Sequence, residues 1–406
     1  ESACGIGVRN RRAESACGTA DGGSTLAACT APHHGPPRMT IRDALLVWYD
    51  AHKRDLPWRK SRDPYAIWVS EIMLQQTRVD TVIPYWTRFL ERFPTPNALA
   101  DASEDEVLGA WSGLGYYRRA RLLHRGVKEV VARHRGEVPE DRDARLALPG
   151  VGRYTAGAIG SIAFDRAEPI VDGNVARVLC RVHRIETALG VATAEQRLWV
   201  EAERLVQGPR PGDLNQALME LGATVCTPRA PRCDVCPIAD ECRGRADAER
   251  LPVPRKKAAP KPVSLAAVVA TTGPKNDERV WLVRGEDELF GGLWSVPMVE
   301  HAPVQSGLFD DVDEINAENV DREGPEAAAT RALKALGLRA RLGALRGELQ
   351  HVLSHRRLTV RVYGATGAKG EENENVRAVS RESIEAGELG VSKLTKKILA
   401  LRGPSS

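Results

Sequence analysis

Residues 148–174 read LPGVGRYTAGAIGSIAFDRAEPIVDGN, and this stretch decides the fold. Gly150 and Gly152 flank Val151 in a turn between two helical patterns. Glycines in such a turn let backbone N–H groups approach an anion, such as a phosphate, at the N-terminus of the next helix. The stretch ends at Asp172, which opens a further helix and so lies at its N-cap. An isolated LPGVG is more often a plain helix connection followed by a capping residue, so other segments must decide its function.

The chain has 406 residues, 42% of them hydrophobic, and a formal net charge of +4. This length accommodates two domains with substantial cores. Because the net charge is small, nucleic-acid binding has to be argued from local clusters of basic residues. The sequence holds no apolar run of membrane-spanning length, and residues 1–38 lack the apolar core of a secretory signal. We expect a cytosolic protein in which residues 1–38, rich in Gly, Ala and Ser, form a disordered leader.

A predicted helix from Pro64 to about Thr77 places one carboxylate in apolar surroundings. Asp63 is the expected N-cap, and the sequence PYAIWVSEIMLQQT is apolar nearly all round, as in a buried helix. Glu71 lies inside that apolar run. Desolvation should raise its pKa and keep it protonated near neutral pH, which suits a general acid. The segment alone fits a buried structural Glu paired with an Arg equally well.

Residues 113–119 read GLGYYRR and join two glycines and two aromatics to a basic helix. Aromatic side chains beside cations can insert between bases while the cations hold phosphates. As a bare pattern, core tyrosines with a solvated basic face are the commoner arrangement. The basic residues of this segment are Arg118, Arg119, Arg121, Arg125 and Lys128. Amphipathic patterns, which together indicate an all-α bundle, cover residues 40–52, 79–92, 103–111, 116–134, 175–185, 194–206 and 214–224.

Four of the eight cysteines form a compact set. Six residues, then two, then five separate Cys226, Cys233, Cys236 and Cys242. In a reducing compartment such a set indicates metal or iron–sulfur ligation rather than disulfides. The spacing alone does not separate zinc from iron–sulfur.

The sequence pattern changes after the helical part. Residues 250–263 read RLPVPRKKAAPKPV and predict a semi-rigid linker. Beyond it, apolar and alternating runs predict strands, with a helix over 325–336 and an exposed loop over 364–377. The predicted strands are SLAAVVATT, RVWLVRG, GGLWSVPMVE and RLTVRVYGA. The second domain is therefore expected to be α/β.

The LPGVG turn and the downstream Asp172 resemble the helix-hairpin-helix DNA glycosylase superfamily, in which the turn is the hairpin and the Asp is catalytic. In the endonuclease III branch, the residue two positions after the second hairpin glycine is a Lys that attacks the sugar. Here that residue is Tyr154, which cannot form a Schiff base. With Glu71 and the second domain, the pattern is similar to the adenine DNA glycosylases, which act on adenine opposite 8-oxoguanine.

The resemblance implies an all-α helix-hairpin-helix glycosylase domain over 39–249, followed by the linker and a Nudix-like α/β domain over 264–406. The loop 226–242 resembles the [4Fe-4S] loop of the superfamily, which favours iron–sulfur over zinc, and a monovalent cation is implied at the hairpin. The catalytic Nudix box is absent, because Arg331 and Lys334 stand where metal-binding acids should be. The second domain is thus expected to recognise the lesion and not to hydrolyse a substrate.

The resemblance also assigns roles to individual residues. Catalytic roles fall to Glu71, Asp172, Tyr154 and Asn174. The adenine pocket is formed by Trp58, Arg59, Glu71 and Gln216, and the opposite base or the gap is contacted by Gln76, Thr77, Leu114 and Tyr116. The DNA backbone is contacted by Gly150, Val151 and Gly152, the cluster is held by Cys226, Cys233, Cys236 and Cys242, and 8-oxoguanine is probed by Ser354 and His355. In that last loop Leu353 stands where the family has Phe.

These roles predict a monofunctional glycosylase that removes adenine mispaired with 8-oxoguanine or guanine. We expect it to act as a monomer on duplex DNA, as a cytoplasmic, nucleoid-associated protein. A thymine-mismatch glycosylase is one alternative, since that class shares the Tyr and the Asp, although the Nudix-like domain argues against it. A non-catalytic iron–sulfur DNA-binding protein is another. A Nudix pyrophosphatase is disfavoured by the missing carboxylates.

Overall fold

Helices make up the first of the two domains, from Ile41 onward. The computed structural model describes residues 39–254, 259–285, 292–301, 324–353, 356–386 and 389–401. Among these residues, no helix is both long and apolar enough to cross a membrane. The helices of the first domain are α1 (Ile41–His52), α2 (Pro64–Leu74), α3 (Val79–Arg92), α4 (Pro96–Asp101), α5 (Glu104–Ala110), α6 (Arg118–His134), α7 (Arg142–Leu146), α8 (Arg153–Phe164), α9 (Gly173–Val182), α10 (Ala192–Val206) and α11 (Pro211–Thr224).

The helices predicted from the sequence are present, with two kinds of difference. The sequence does not predict α4 and α7, because helices of 6 and 5 residues are too short to show a period. Helix α2 ends at Leu74 and not near Thr77. The guanidinium of Arg119 donates to the carbonyl oxygens of Ile72 and Met73, and so satisfies groups that a further helical turn would have bonded.

Helix α2 is buried on both sides because it separates two apolar cores. Ile67 packs in the core that contains residues of α9 and α11, whereas the next residue, Trp68, packs in the core around α6. This position explains why the sequence of α2 is apolar all round. It leaves Glu71, on the same helix, only 4% exposed.

The second domain is a mixed sheet with helices. Its described strands are β1 (Lys261–Thr272), β2 (Arg279–Arg284), β3 (Trp294–Ser295), β4 (Met298–His301), β5 (Arg339–Val352), β6 (Arg356–Lys369) and β7 (Val376–Ser380). They follow the order β3-β2-β1-β6-β5, with β4 paired to β1 and β7 to β2. Strands β1 and β6 are parallel, whereas the other pairs are antiparallel. The helices are α12 (Pro325–Ala335), α13 (Arg381–Ala386) and α14 (Lys393–Ala400).

Strand β1 is central in this sheet and is buried on both faces. Leu265 and Val269 pack in one apolar core, and Ala266 and Val268 pack in the core on the opposite face. A strand buried on both faces has a continuous apolar sequence and not an alternating one. This arrangement accounts for the run SLAAVVATT.

The segment between the two domains is shorter than the linker predicted over 250–263. Leu251 is 1% exposed, and its carbonyl oxygen accepts a hydrogen bond from Arg181 on α9. At the other end, β1 already begins at Lys261. The ends of the predicted linker therefore belong to the folded domains, because Leu251 is buried and Lys261 already pairs with β6.

The exposed loop predicted over 364–377 is wrong for its first part. Strand β6 continues to Lys369, and Ala365 and Ala368 are buried in the core beneath α12. The glycines and charged residues of this segment mask its strand character in the sequence. The last two residues of the predicted loop, Val376 and Arg377, begin strand β7, which pairs with β2 along its whole length.

The two domains meet at helix α5. Leu293, from the sheet domain, is 6% exposed and packs within the core of the helical domain. Asp105 on α5 accepts hydrogen bonds from the guanidinium of Arg284 at 3.1 Å and from Nε1 of Trp294 at 3.4 Å. Apolar packing and an ion pair thus hold the sheet domain against the helical domain.

Candidate active site

The helical domain encloses a cavity of about 540 Å³. Helices α2, α8, α9 and α11 each contribute side chains to its wall. This volume falls within the range of small-molecule sites. The predicted residues that line the cavity are Trp58, Arg59, Glu71, Gln76, Thr77, Tyr154, Asp172, Asn174 and Gln216.

Glu71 on α2 and Tyr154 on α8 are in direct contact in the wall of this cavity. Burial raises the pKa of Glu71 to about 7, opposed by the hydrogen bond from Tyr154 and by the cation of Arg59, and assisted by the carboxylate of Asp172. Tyr154, on the first turn of α8, donates its hydroxyl to Oε2 of Glu71 at 2.5 Å. The raised pKa expected from the sequence therefore follows from the position of Glu71, and this carboxyl group can both donate and accept a proton near neutral pH.

Asp172 is the N-cap of α9. Its Oδ1 accepts a hydrogen bond from the backbone N–H of Val175 at 2.7 Å, and its Oδ2 accepts one from Nδ2 of Asn174 at 2.9 Å. Such bonds satisfy donors that the first turn of a helix leaves free. They also fix the orientation of the carboxylate on the wall that Glu71 shares.

A buried ion pair forms another part of the wall. Glu220 on α11 is 1% exposed and accepts from Arg59 at 2.8 Å and from Arg54 at 2.7 Å. Burial opposes the ionisation of Glu220, but hydrogen bonds from the two guanidinium groups outweigh it and lower the pKa to about 2. Neither Glu220 nor Arg54 is predicted from the sequence. The available signal was the position of Glu220 one helical turn after Gln216, within the apolar run of residues 217–223.

Two further predicted pocket residues are buried. Trp58 is 6% exposed and makes an edge contact with Trp86, their ring centres 6.1 Å apart. Gln216 is 8% exposed and lies on α11. Met219, which is not predicted, lines the same cavity and lies 3.4 Å through its sulfur from the hydroxyl of Tyr154. The wall thus combines aromatic and apolar surface with a few fixed polar groups, as small-molecule pockets do.

The residues predicted to contact the opposite base lie on two loops. Gln76 and Thr77 follow α2 and line the cavity. Leu114 and Tyr116 precede α6, and the structure does not bring them to the cavity wall. Tyr116 is 52% exposed, whereas Leu114 is 6% exposed and packs in the core of the helical domain. Tyr116 is therefore accessible to a ligand, whereas Leu114 is buried, and the contact expected for each stays a prediction.

The predicted hairpin has a buried centre and exposed flanks. Val151 is 6% exposed, whereas Gly150 and Gly152 are exposed. Gly150 has a left-handed φ of +78°, and a Cβ there would lie 2.6 Å from Cβ of Leu122, so glycine is required for two reasons. Gly152 is the N-cap of α8, which leaves the first backbone N–H groups of that helix available to an anion.

The four cysteines of the loop surround one cavity next to α9 and α11. Burial, together with the charges of the other three cysteines of the set, raises the pKa of Cys236 to about 11. Ligation to iron offsets the free-energy cost of ionising a buried thiol, because the metal stabilises the thiolate. In the described part of the chain, no three His, Cys, Asp or Glu side chains converge as they would on a single ion. The residues present fit an iron–sulfur cluster held by Cys226, Cys233, Cys236 and Cys242.

Two arginines of α9 connect the cysteine loop to the helical domain. Arg181 donates to Sγ of Cys226 at 3.2 Å. Arg177 donates to the carbonyl oxygen of Cys226 at 2.8 Å and to Oδ1 of Asn174 at 2.9 Å. Because Asn174 in turn donates to Asp172, a continuous series of hydrogen bonds runs from the cysteine loop to the carboxylate in the cavity.

Ser354 and His355 lie outside the described residues. Strands β5 and β6 pair up to Val352 and Arg357 on either side of them. Leu353, which replaces the Phe of the resembled family, packs against the apolar core on one face of the sheet. The role expected for Ser354 and His355 stays a prediction.

Two protein-family models match the chain. The model of the HhH-GPD superfamily of base excision DNA repair proteins matches residues 69–204, which include Glu71, the hairpin and Asp172. The model of the iron-sulfur binding domain of endonuclease III matches residues 226–242, which include the four cysteines. The second match confirms the prediction of an iron–sulfur cofactor.

Solved structures resemble each domain. One is a thermostable thymine-DNA glycosylase, with 31% identity and a TM-score of 0.46 over 51% of this chain and 95% of that chain. Another is the C-terminal domain of mouse MUTYH in its complex with human PCNA, with 20% identity and a TM-score of 0.25 over 36% of this chain and 94% of that chain. The first domain is of the predicted helical glycosylase type, and the second is the predicted α/β domain. The Nudix-like character of the second domain stays a prediction.

Curated relatives cover both domains. The human adenine DNA glycosylase is 52% identical over 219 residues, which are 52% of this chain and 40% of the human protein. The chain thus aligns with about two-fifths of the length of that relative. The mouse adenine DNA glycosylase is 40% identical over 374 residues, 80% of this chain and 70% of the mouse protein. For the fission yeast protein of the same name the identity is 34%, over 85% of this chain and 86% of that protein. The chain belongs to the adenine DNA glycosylase family.

Proposed function

We propose that this protein is a monofunctional DNA glycosylase that removes adenine mispaired with 8-oxoguanine or guanine in duplex DNA. The observation that carries the proposal is that Glu71, with a pKa of about 7, and Asp172 line one cavity. Two carboxyl groups in different environments provide an acid and a carboxylate for breaking a glycosidic bond. Membership of the family supports adenine as the base.

Glu71 acts first, as the general acid. A pKa of about 7 leaves a large share of Glu71 protonated at neutral pH. Adenine flipped out of the duplex enters the cavity beside Trp58, Arg59 and Gln216, and protein contacts to the DNA backbone offset the cost of unstacking. Transfer of the proton from Glu71 to N7 makes adenine a neutral leaving group.

Asp172 stabilises the sugar as the bond breaks. The sugar then gains oxocarbenium character, which the carboxylate stabilises by its charge or through a transient covalent bond, as in retaining glycosidases. The hydrogen bonds from Val175 and Asn174 hold this carboxylate in place. Glu71, now ionised, takes a proton from the attacking water, which regenerates the acid and leaves an abasic site.

The reaction ends without cleavage of the DNA strand. Strand cleavage by this superfamily's lyase branch requires an amine that forms a Schiff base with the sugar. The corresponding residue here is Tyr154, whose phenol donates to Glu71. Tyr154 therefore supports the acid and does not act as a nucleophile.

Other parts of the chain bind the DNA around the flipped base. The hairpin Gly150–Gly152 holds a phosphate, together with the predicted monovalent cation. The cysteine loop, shaped by its iron–sulfur cluster, presents Arg229, Arg232 and Arg243, all exposed, to the DNA backbone. Gln76, Thr77 and Tyr116, and Ser354 with His355 of the Nudix-like domain, contact the opposite base. The protein acts as a monomer, bound to DNA in the cytoplasm.

The proposal is tested with duplexes that carry A, T or C opposite 8-oxoguanine or G. Base release is measured in single-turnover reactions, with and without alkali. We expect release of A alone, with strand breaks only after alkali treatment. Release of T and not A would establish the thymine-mismatch alternative. Binding of the mispaired duplex without any release would favour a non-catalytic DNA-binding protein.

The variant Glu71→Gln tests the acid directly. It removes the proton donor at nearly constant shape, so we expect a loss on the order of a thousandfold in rate with little change in duplex binding. Glu129→Gln is the matched control, because Glu129 forms only a surface ion pair with Arg133 on α6. Near-normal turnover by Glu71→Gln would refute the assigned role.

A further inference from the structure

One arginine joins the two loops on which the predicted contacts to the opposite base lie. Arg119, on the first turn of α6, donates to the carbonyl oxygen of Gln75 and, at 3.1 Å, to Oγ1 of Thr77. The same guanidinium donates at 3.2 Å to the carbonyl oxygen of Gly115 in the other loop. A single planar group with several N–H donors therefore spans both loops, which an ammonium group could not do in the same geometry.

Each loop also holds an exposed residue in a strained backbone conformation. Gln76 has a φ of +57° and Tyr116 a φ of +49°, both in the left-handed region that residues with a side chain rarely adopt. Such conformations persist where the surroundings fix them, and they cluster at ligand-binding sites. The groups bound by Arg119 flank these two residues, since Gln75 and Thr77 enclose Gln76 and Gly115 directly precedes Tyr116.

The guanidinium of Arg119 is engaged by the protein and not presented to a phosphate. It lies 5.6 Å from the ring centre of Trp111 and 5.5 Å from that of Tyr116. Burial lowers the pKa of Arg119 to about 10, so the group remains a cation at neutral pH. Its neighbours Arg118 and Arg125 are exposed. The sequence groups all three as one basic face, and the structure corrects this for Arg119.

We propose that Arg119 is a positioning residue for reading the base opposite the excised adenine. It holds Gln76 and Tyr116 in their strained conformations before DNA binds, so that binding does not have to order the two loops. The inference rests on the proposed function, because it concerns the opposite-base contacts of that same site. Loss of the guanidinium releases both loops, whereas the acid chemistry of Glu71 is retained once adenine occupies the cavity.

The experiment compares the full chain with Arg119→Met, Arg119→Lys and the control Arg118→Met, which removes an equal charge from the exposed neighbouring position. Apparent Kd and the single-turnover rate at saturating protein are measured for 8-oxoguanine:A and G:A duplexes. A duplex with 2-aminopurine next to the 8-oxoguanine reports local unstacking by its fluorescence. Visible absorbance of the iron–sulfur cluster and the Tm report the folded state.

For Arg119→Met we expect binding of the 8-oxoguanine:A duplex to weaken about tenfold more than binding of the G:A duplex. The 2-aminopurine signal should fall, while the rate at saturation stays within about twofold of the parent. Arg119→Lys keeps the charge but cannot reach both loops, and should lose most of the same preference. Arg118→Met should weaken both duplexes alike.

An unchanged preference in folded Arg119→Met would overturn the inference. So would equal losses on both duplexes accompanied by a lower Tm, which is the mark of a purely structural role, and so would full rescue by Arg119→Lys. If Arg119→Met does not fold, Arg119→Lys decides by the same measurements. Failure of the parent protein to release adenine from either duplex would instead refute the proposed function. This outcome is distinct from failure of the inference about Arg119, which is measured by the difference between variant and parent.

Discussion

The hydroxyl of Tyr154 lies 2.5 Å from Oε2 of Glu71 and donates a hydrogen bond to it. This bond favours the ionised carboxylate, and so opposes the burial that raises the pKa of Glu71 to about 7. Tyr154 therefore influences how much of the proton donor is present at a given pH. The hydroxyl of Tyr154 thus acts on Glu71 electrostatically.

Tyr154→Phe should shift the pH profile of adenine release. Without the hydrogen bond the pKa of Glu71 rises further, so the protonated form persists to higher pH. Base release, which declines as Glu71 ionises above about pH 7 in the parent, should decline about one pH unit later in the variant. Single-turnover rates between about pH 5 and 9 measure this shift. Tyr363→Phe, in the sheet domain, is the control, and a decline at lower pH in Tyr154→Phe would contradict the interpretation.

Glu71→Gln should also change stability in a pH-dependent way. Between the ordinary Glu pKa of 4.5 and about 7, the folded protein retains a proton that the unfolded chain has released. The free energy of unfolding therefore falls as pH rises through this window, by on the order of 3 kcal/mol in total. Gln does not ionise, so its variant avoids this loss of stability. The variant should be more stable than the parent at pH 8, and the two should have nearly equal stability near pH 4.5. Equal Tm differences at both pH values would exclude a buried, ionising Glu71.

The cysteine loop should contain iron and sulfide. Purified protein is expected to be straw-brown, and Cys236→Ser should lose iron, colour and DNA affinity together, because the cluster shapes a loop with exposed arginines. Adenine release should fall as well, since Arg177 then loses its anchor at Cys226. Iron and acid-labile sulfide are assayed beside duplex binding. A colourless, fully active protein with one zinc per chain would show that the metal is wrongly assigned.

Tyr154→Lys should introduce a covalent reaction with the abasic sugar. The new amine would lie where the lyase branch of the superfamily has its Lys, and could form a Schiff base. Borohydride should trap a protein–DNA adduct with this variant and not with the parent. Arg153→Lys is the matched control, because it places an amine one position earlier at an exposed residue outside the cavity. Adducts of equal yield in the parent would mean that another amine already reaches the sugar.

Truncation after Pro254 should leave an active but less selective glycosylase. The helical domain keeps Glu71, Asp172 and the cysteine loop, but it loses Leu293 from its core and should melt at a lower temperature. Discrimination between 8-oxoguanine:A and G:A should fall by about 1–3 kcal/mol, the usual value of a specific base contact. Ser354→Ala in the full chain isolates one such contact. A truncated protein with full preference would assign lesion reading to the first domain alone.

Local signals in the sequence were sufficient to predict that Glu71 and Asp172 belong to the candidate site. Glu71 stands out as a carboxylate in an apolar run, and Asp172 as a cap after a turn with two glycines. Each feature depends on neighbours within one or two helical turns, and the resemblance supplies the partnership with Tyr154. The structure brings all three to one cavity.

Contacts between distant segments could not be predicted in this way. Glu220 and Arg54 are 166 positions apart, so no periodic pattern connects them. The basic residues at the start of α6 follow the pattern of a solvent-exposed helix face. This pattern does not predict that the side chain of Arg119 points inward and donates to carbonyl groups. Strand β5 contains three Arg, two Gly and one Glu and is largely exposed, so it lacks the apolar alternation that identifies a strand.

Because Asp172 caps α9 as well as lining the cavity, its substitution can remove activity without unfolding the protein. Asn is as good a helix cap as Asp, so Asp172→Asn should keep α9 and its hydrogen bond to Val175 while removing the negative charge. We expect normal amounts of folded protein that still occupy mispaired duplexes without releasing the base. Measurements of protein abundance or solubility would not distinguish such a variant from the parent protein. In a cell that also holds the intact protein, it would compete for the same lesions and delay their repair.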